Sequence, residues 1–131
     1  MATLTPTLTL AGTAADFGNA LSLSTTTGLT IDEPFVGFSR ITATTTGGDS
    51  IIVPDVNSAK YVYIKHTGLN QSGASSGTDK VKVETADGTA ILELKSGEFA
   101  FFPYFAQGTC KLQLETDANT VQVEYAYFTR S

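Results

Sequence analysis

The sequence predicts an all-β chain, a single antiparallel β-sandwich of jelly-roll-like type with about nine or ten short strands. Three observations predict it. Threonine recurs in runs such as Thr25-Thr26-Thr27 and Thr44-Thr45-Thr46, and β-branched residues favour strands over helices. Apolar and polar residues alternate with a period of two along most segments. Glycine, proline and aspartate turn signals separate these segments at regular intervals.

The N-terminal strand or arm is predicted at residues 1–11, followed by the sandwich domain at residues 12–131. Alternation places three leucines on one side of the N-terminal segment, namely Leu4, Leu8 and Leu10. Pro6 lies among them and removes one backbone donor, so this segment is an edge strand or a detached arm. The segment 11–20 is the one place where a short helical turn fits, and helix content should be near nil.

Alternation resumes in the segments that follow. The next apolar positions are Leu21 and Leu23. A strand rich in β-formers is predicted from Phe35 to Thr45, bounded by Pro34 and by a turn at Gly47-Gly48-Asp49. A short strand is expected at 51–53.

The clearest strand is predicted from Lys60 to Thr67. One face should carry Tyr61, Tyr63 and Lys65, and the other Val62, Ile64 and His66. The valine and the isoleucine should lie in the core. The stretch from Leu69 to Asp79 is rich in glycine and serine and cannot bury apolar area, so an exposed, mobile loop is predicted there.

A hairpin is predicted to join Lys80–Thr85 to Ala90–Lys95. An Asp87-Gly88 pair between alternating runs is a strong short-range hairpin signal. The apolar side chains of this hairpin should face inward, and we expect its charged residues to project to water: Lys80, Lys82, Glu84, Glu93 and Lys95.

An aromatic strand and a second hairpin are predicted to complete the chain. The most aromatic segment runs from Phe99 to Phe105. The hairpin should join Cys110–Thr116 to Val121–Thr129 across a turn at Asp117-Ala118-Asn119.

Composition argues against several functional classes. The formal net charge is −5, whereas proteins that bind nucleic acid or an anionic membrane need clustered Lys and Arg. The chain holds one Cys and one His, too few for an intrachain disulfide or a His-ligated metal cluster. We therefore expect no nucleic acid, no membrane and no cofactor. No basic residue precedes an apolar run near the start, so we expect synthesis in the cytoplasm without a signal peptide.

The two most reactive side chains have structural interpretations that we favour. His66 shares its face with apolar positions, so a backbone carbonyl should satisfy it, although a lone histidine could also be a base or a ligand. Cys110 stands at the start of a predicted strand without a partner, and a small, buried apolar role is expected.

The acidic residues also have a structural and a functional interpretation. Glu93 could face Glu84 or Glu115 across strands, as in a glycoside hydrolase, but these residues alternate with core positions and favour a solvated sheet face. The segments Asp117-Ala118-Asn119 and Gly77-Thr78-Asp79 offer oxygen ligands for Ca²⁺ without the spacing of a DxDxDG loop. Turn capping is the favoured role for both, and no catalytic or metal-binding residue is predicted.

Assembly is the function that the residues favour. Tyrosine side chains are amphipathic and suit a protein interface or sugar stacking, although much of the aromatic mass should be core. A chain with few charges is poorly protected against edge pairing, so the N-terminal strand could add to a neighbour's sheet. The candidate assembly contacts are Leu4, Pro6, Leu8, Leu10, Tyr61, Tyr63, Tyr125 and Tyr127.

Four segments carry a resemblance to a known group of proteins: MATLTPTLTL, YVYIKHTG, SGEFAFFP and VEYAYFTRS. Across nearly the whole chain, they resemble small all-β virion structural proteins of tailed phages, especially the contractile-tailed phages of marine cyanobacteria. The resemblance implies a non-enzymatic protein present in many copies on the virion, made in the host cytoplasm. It implies major capsid or tail proteins and sister copies as partners, in a homo-oligomer or a lattice.

The favoured function is that of a capsid decoration or cement protein. Many small contacts repeated over a symmetric lattice can reinforce a shell even if each is weak. The alternatives are a tail, neck or fibre-associated module and a carbohydrate-binding module that attaches to host glycan.

Overall fold

A computed structural model describes residues 2–48, 50–54, 57–107 and 110–131, with all their side chains except those at 16–17 and 33–36. It confirms the all-β fold, with eleven strands and one four-residue helix, α1 (Ala14–Phe17), in the described part of the chain. The helix lies within the segment 11–20, where the sequence allows one. The strands are β1 (Ala2–Leu4), β2 (Thr7–Gly12), β3 (Leu21–Thr26), β4 (Leu29–Ala43), β5 (Ile51–Val53), β6 (Ser58–His66), β7 (Val81–Thr85), β8 (Ala90–Leu94), β9 (Phe99–Ala106), β10 (Leu112–Thr116) and β11 (Val121–Arg130).

The chain divides into two compact units, and β4 runs from one into the other. Unit 1 comprises Met1–Asp32 with Arg130–Ser131, and unit 2 comprises Glu33–Thr129. In unit 1, β1 pairs antiparallel with the start of β4, and β2 pairs antiparallel with β3. The predicted N-terminal strand is thus two strands with different partners, separated at Thr5 and Pro6. Met1 lies outside the described residues, and an arm at residues 1–11 stays a prediction.

Unit 2 is a β-sandwich of two antiparallel sheets. The strand order is β4-β11-β6-β9 in one sheet and β5-β10-β7-β8 in the other. The facing sides of the sheets share one core of small and branched side chains, and Val62 and Ile64 lie in it with no exposed surface, as predicted. Its members are Ala43, Ile52, Val53, Val62, Ile64, Val81, Val83, Leu94, Ala106, Leu112, Leu114, Val121 and Val123.

The second predicted hairpin is wrong, because its two strands belong to different sheets. β10 lies between β5 and β7 in one sheet, whereas β11 pairs with β6 in the other. The turn at 117–120 therefore carries the chain across the sandwich. Buried residues of both strands meet in the interlayer core: Leu112, Leu114, Val121 and Val123. Two strands that pair within one sheet and two strands that face one another across the sandwich have the same sequence pattern, namely alternation on either side of a turn signal.

Several strand boundaries differ from those predicted, among them both ends of β4 and the start of β10. The strand expected to start at Phe35 begins at Leu29 instead and runs through Pro34, because its first residues pair with β1. Asp49, the last residue of the predicted turn, lies outside the described residues. Cys110 is exposed rather than buried, since β10 begins only at Leu112 and the cysteine belongs to the connection before it.

The predicted hairpin of β7 and β8 is confirmed, with one correction. Val81 and Val83 are fully buried, as expected. Glu84, however, is only 4% exposed and does not project to water. The register shifts between Val83 and Glu84, and the Glu84 Oε1 atom accepts a hydrogen bond from the Gln113 side-chain amide at 2.9 Å. Strand β7 has β10 as its second neighbour, and that neighbour covers the carboxylate.

Gly47 also packs against the Glu84 carboxylate. A Cβ atom at this position would collide with Glu84 Oε1 and lie 2.8 Å from Gln113 Nε2. We expect Gly47→Ala to lower the free energy of unfolding by about 2 kcal/mol, because both side chains are buried and cannot move freely. Urea unfolding followed by circular dichroism measures the change.

Gly37→Ala is the matched control. No atom lies within 4 Å of a Cβ built there, so its effect should stay within about 0.5 kcal/mol. Equal unfolding midpoints for the two variants would contradict the packing of Gly47 on Glu84.

Candidate functional site

The hairpin of β2 and β3 in unit 1 has one apolar and one polar face. Leu10 pairs with Leu23, and Gly12 pairs with Leu21. Residues directly opposed in an antiparallel pair project to the same side, so the leucines of both strands share a side. We call this surface the leucine face, and it consists of Leu8, Leu10, Leu21 and Leu23.

The opposite side of the hairpin carries hydroxyl groups. The Thr7 and Thr26 hydroxyls lie 2.9 Å apart, and those of Thr9 and Ser24 lie 3.5 Å apart, each pair within hydrogen-bond distance. Antiparallel sheets commonly have one polar, solvated side and one apolar side that packs on other groups.

The leucine face is uncovered in the structure. Its four side chains are between 41% and 47% exposed. It includes Leu8 and Leu10, which were predicted as assembly contacts, but the structure does not bring the two other N-terminal candidates to it. Leu4 is half-buried in β1, and Pro6 is half-buried in the link between the first two strands.

A second uncovered surface lies on the outer side of the β4-β11-β6-β9 sheet in unit 2. Tyr61 and Tyr63 of β6 point outward, as predicted, and stand opposite Pro103 and Phe101 of β9. We call six aromatic side chains of this surface the aromatic face: Phe38, Tyr61, Tyr63, Phe99, Phe101 and Phe105. Phe128 of β11 stands opposite Tyr61 on the same side and is half-buried.

The rings of the aromatic face contact one another across strands. Phe38 meets Tyr63 edge to face, with ring centroids 5.3 Å apart, and Tyr61 stacks on Phe101 at 6.1 Å. Ala126 of β11 stands opposite Tyr63 on the same side of the sheet and is fully buried. A small side chain there leaves room for the flanking rings to meet above it.

Tyr125 and Tyr127, the remaining tyrosine candidates, lie on the other side of this sheet. They stand opposite Ile64 and Val62 and pack against the core, and burial raises the pKa of the Tyr127 hydroxyl. The structure therefore does not bring the four candidate tyrosines to one surface.

Sequence reasoning assigned most of the phenylalanine side chains in β9 to the core. Phe102 and Tyr104 do pack against it, but alternation turns the odd-numbered positions outward. Phe99 is 59% exposed and Phe105 is 56% exposed. Period-two counting through FAFFPYF could have found this division.

His66 has the structural role that was predicted. The ring is fully buried, and its Nδ1 atom accepts a hydrogen bond from the Gly68 backbone N–H at 3.0 Å. The proton therefore lies on Nε2, which donates to the Asp79 carbonyl at 3.0 Å. With both nitrogens engaged, the ring holds the two ends of the loop at 69–79 and is not placed to act as a base.

The loop at 69–79 is exposed over most of its length, as expected, but it is tied down by hydrogen bonds. The Asn70 Oδ1 atom accepts from the backbone N–H groups of Ser72 and Ala74, each at 3.0 Å. The Leu69 carbonyl accepts from the Gln122 backbone N–H at 2.8 Å. This network favours an ordered loop rather than the mobile one that its composition predicted.

Replacing the histidine should destabilise unit 2. His66→Ala leaves the Gly68 backbone N–H and the Asp79 carbonyl without their partner and opens a cavity at a fully buried position, which costs about 3 kcal/mol of unfolding free energy. Urea unfolding measures the loss. Lys65→Ala, at the outward-facing neighbour in β6, is the control and should change the free energy by less than about 0.5 kcal/mol. A loss as small as that for His66→Ala would refute the anchoring role.

Lys60 is a buried cation that sequence reasoning missed. It lies on the core side of β6 with 1% of its surface exposed. Its Nζ atom donates to the Thr129 hydroxyl at 2.7 Å and lies 5.5 Å from the centre of the Tyr127 ring. Burial lowers the pKa of Lys60 from its ordinary value of 10.5. Alternation with Val62 and Ile64 is the signal that could have placed it.

The lowered pKa of Lys60 makes stability depend on pH. Between the folded pKa and the ordinary value, the unfolded chain binds more protons, so this lysine makes stability rise with pH in that window. Lys60→Met should remove this contribution and stabilise the protein by about 1 kcal/mol at neutral pH. Urea unfolding at neutral pH and at about pH 10 tests it, with the outward-facing Lys65→Met as control. A Lys60→Met variant that is less stable than the parent at neutral pH would contradict it.

The candidate calcium ligands meet one another in the structure but serve the turns. The Asn119 side-chain amide donates to both carboxylate oxygens of Asp79, at 3.1 and 3.3 Å. Asp117 accepts from the Lys80 backbone N–H at 3.0 Å, and this bond lowers the pKa of the carboxyl group. In the described part of the chain, no three His, Cys, Asp or Glu side chains are grouped so that they could hold a metal ion.

An open polar hollow of about 630 Å³ lies beside these turns. Hydroxyl, amide and backbone groups line it, and Asp79 is the one titratable side chain among its described lining residues. A single carboxylate that is already hydrogen-bonded to Asn119 does not supply an acid and a base. The carboxylates weighed for glycoside hydrolysis are also engaged elsewhere, because Glu93 pairs with Lys80 at 3.0 Å and Glu115 pairs with Lys82 at 3.5 Å.

No protein-family model and no curated protein sequence matches the chain. Among the solved structures that match is a chain from Bacillus endospore appendages, described as a novel family of disulfide-linked pili. The two chains are 19% identical, the match covers 79% of this chain and 91% of the other, and the TM-score is 0.46. A TM-score this low does not establish a shared fold. No helix in the described ranges has the length and apolar character needed to cross a membrane.

Proposed function

We propose that the protein is a non-enzymatic structural component of a phage virion, where it decorates the capsid and binds neighbouring virion proteins. The leucine face of the β2–β3 hairpin carries this proposal. It is an apolar sheet face, backed by hydroxyl pairs and left open to solvent, on a compact unit separate from the sandwich core. The sequence resemblance to small virion proteins of tailed phages supplies the setting.

The size of the leucine face suits a weak, repeated contact. Covering the exposed part of its four leucines would contribute about 4 kcal/mol per copy before the cost of association. One such contact would not hold a soluble protein on a particle. Several such contacts within one linked complex would, because the first contact raises the effective concentration for the next.

The reactive side chains support a role in binding rather than catalysis. His66 uses both ring nitrogens to close a loop, Lys60 donates to a hydroxyl inside the sandwich, and Asp79 is held by Asn119. None of these groups lies beside a second titratable partner in the arrangement that acid–base catalysis needs.

The proposal predicts that the leucine face is needed for incorporation into particles. Leu10→Gln with Leu23→Gln replaces one directly opposed pair and should lower the number of copies per particle at least tenfold, because the docking contact loses its apolar centre. The measurement is quantitative immunoblotting of purified phage from cells that supply the variant in place of the parent protein. Circular dichroism of the purified variant checks that the sandwich is folded.

The matched control is Thr9→Gln with Ser24→Gln, the adjacent opposed pair on the polar side of the same hairpin. It should be incorporated like the parent protein. Equal incorporation of both double variants would refute docking through the leucine face.

Immunogold labelling of intact virions tests where the protein lies. Label on the head supports decoration of the capsid, and label on the tail, neck or fibres replaces it by a tail role. Unlabelled virions overturn the proposed function.

A further inference from the structure

We infer that the aromatic face binds the aromatic face of a second copy of this chain, about a two-fold axis. This inference rests on the proposed function for its setting and adds a partner and a surface to it. The surface belongs to unit 2 and is distinct from the leucine face of unit 1.

The exposed area of the aromatic face is large enough for a dimer contact. The four phenylalanine side chains of the face are exposed to between 38% and 72% of their surface, which leaves about 450 Å² of ring surface at about 200 Å² for each side chain. Pro103 and the partly exposed Tyr61 and Tyr63 add to it. A specific interface buries about 800 Å² on each partner, so this patch supplies most of one side. Exposed apolar patches of this size are often functional.

The composition of the aromatic face also resembles that of a protein interface. Interfaces are enriched in Phe and Tyr and depleted of charge at their centre. On the outward side of the four strands, the described charged residues in unit 2 are Arg40, Lys65 and Glu124. Two cations and one carboxylate make this face +1, whereas the chain carries −5. Two copies that meet here oppose faces of small net charge rather than the acidic parts of the two chains.

The placement of the charges suits a self-complementary contact. Lys65 and Glu124 stand opposite one another in the pairing of β6 and β11, at one end of the aromatic rows. In a two-fold contact a residue meets its own counterpart or exchanges partners with another. The lysine of each copy can therefore approach the glutamate of the other at the rim, and the rings fill the centre.

Sedimentation velocity of the full-length protein, from about 5 to 200 µM, tests the inference. We expect a dimer that dissociates on dilution. Phe99→Thr with Phe105→Thr removes two exposed rings that make no ring contact with another described side chain. The change keeps β-forming residues in β9 and should weaken the dimer by about 100-fold. Phe38→Thr, at the most exposed ring, serves if the double variant does not fold.

Ile91→Thr is the control, since Ile91 is an equally accessible apolar residue, 44% exposed, on β8 of the other sheet. It should dimerise like the parent protein. A parent protein that is monomeric throughout the range overturns the inference, as does a dimer that survives the aromatic substitutions. A dimer lost in the Leu10→Gln, Leu23→Gln variant but kept in the aromatic variants also overturns it, because the copies would then meet through the leucine face.

Failure here is separable from failure of the proposed function. A monomeric protein that is still incorporated into particles refutes the dimer alone. A dimer that never appears on particles leaves the contact standing and refutes the virion role.

Discussion

The thinness of the interlayer core constrains the rest of unit 2. Two antiparallel sheets pack about 10 Å apart, and the side chains that fill the gap here are valine, leucine, isoleucine and alanine. Among the described residues, no phenylalanine or tyrosine ring is fully buried. Phe102, Tyr104, Tyr125 and Tyr127 reach the core only at its margins. Phenylalanine side chains that do not fit this layer must lie outside it. Period-two alternation in β9 turns three of them to the outer side of the sheet.

The buried polar residues follow from the same alternation. Lys60 and His66 occupy the first and last core-facing places of β6, on either side of Val62 and Ile64. At these ends each side chain finds a partner that the middle of the core lacks: a threonine hydroxyl for the lysine, and loop backbone for the histidine. A polar group at the end of a core strand thus fixes where the apolar layer stops.

Local pattern was sufficient for elements whose partners are local. Alternation and an Asp-Gly turn predicted β7 and β8, and alternation alone divided residues 61–66 of β6 correctly between surface and core, although it left Lys60 unassigned. Glu84 could not be placed in this way, since its burial depends on β10 and on the turn at Gly47, which come from distant parts of the sequence. The pairing of β10 and β11 failed for the same reason, because neighbours across a sandwich and neighbours within a sheet leave the same period-two signal.

Only part of each candidate surface could be predicted from the sequence, because each surface combines residues of several strands. Leu8 and Leu10 were identified from their own alternation, but the leucine face exists only because β3 brings Leu21 and Leu23 to the same side. Tyr61 and Tyr63 were identified in the same manner, and the phenylalanines that complete the aromatic face come from β4 and β9. A surface assembled from several strands needs the register between them, which no single segment encodes.

A chain with two apolar surfaces can combine two weak contacts into one tighter association. If sister copies join through the aromatic face, each pair presents two leucine faces to a lattice. The second leucine face then docks within the same complex, at an effective concentration that short connections can raise to about the millimolar range. Two contacts of a few kcal/mol each can in this way hold a dimer where one would not hold a monomer. The small net charge of the aromatic face avoids strong like-charge repulsion at the contact between two acidic chains. The second docking contact then compensates for the modest size of the leucine face.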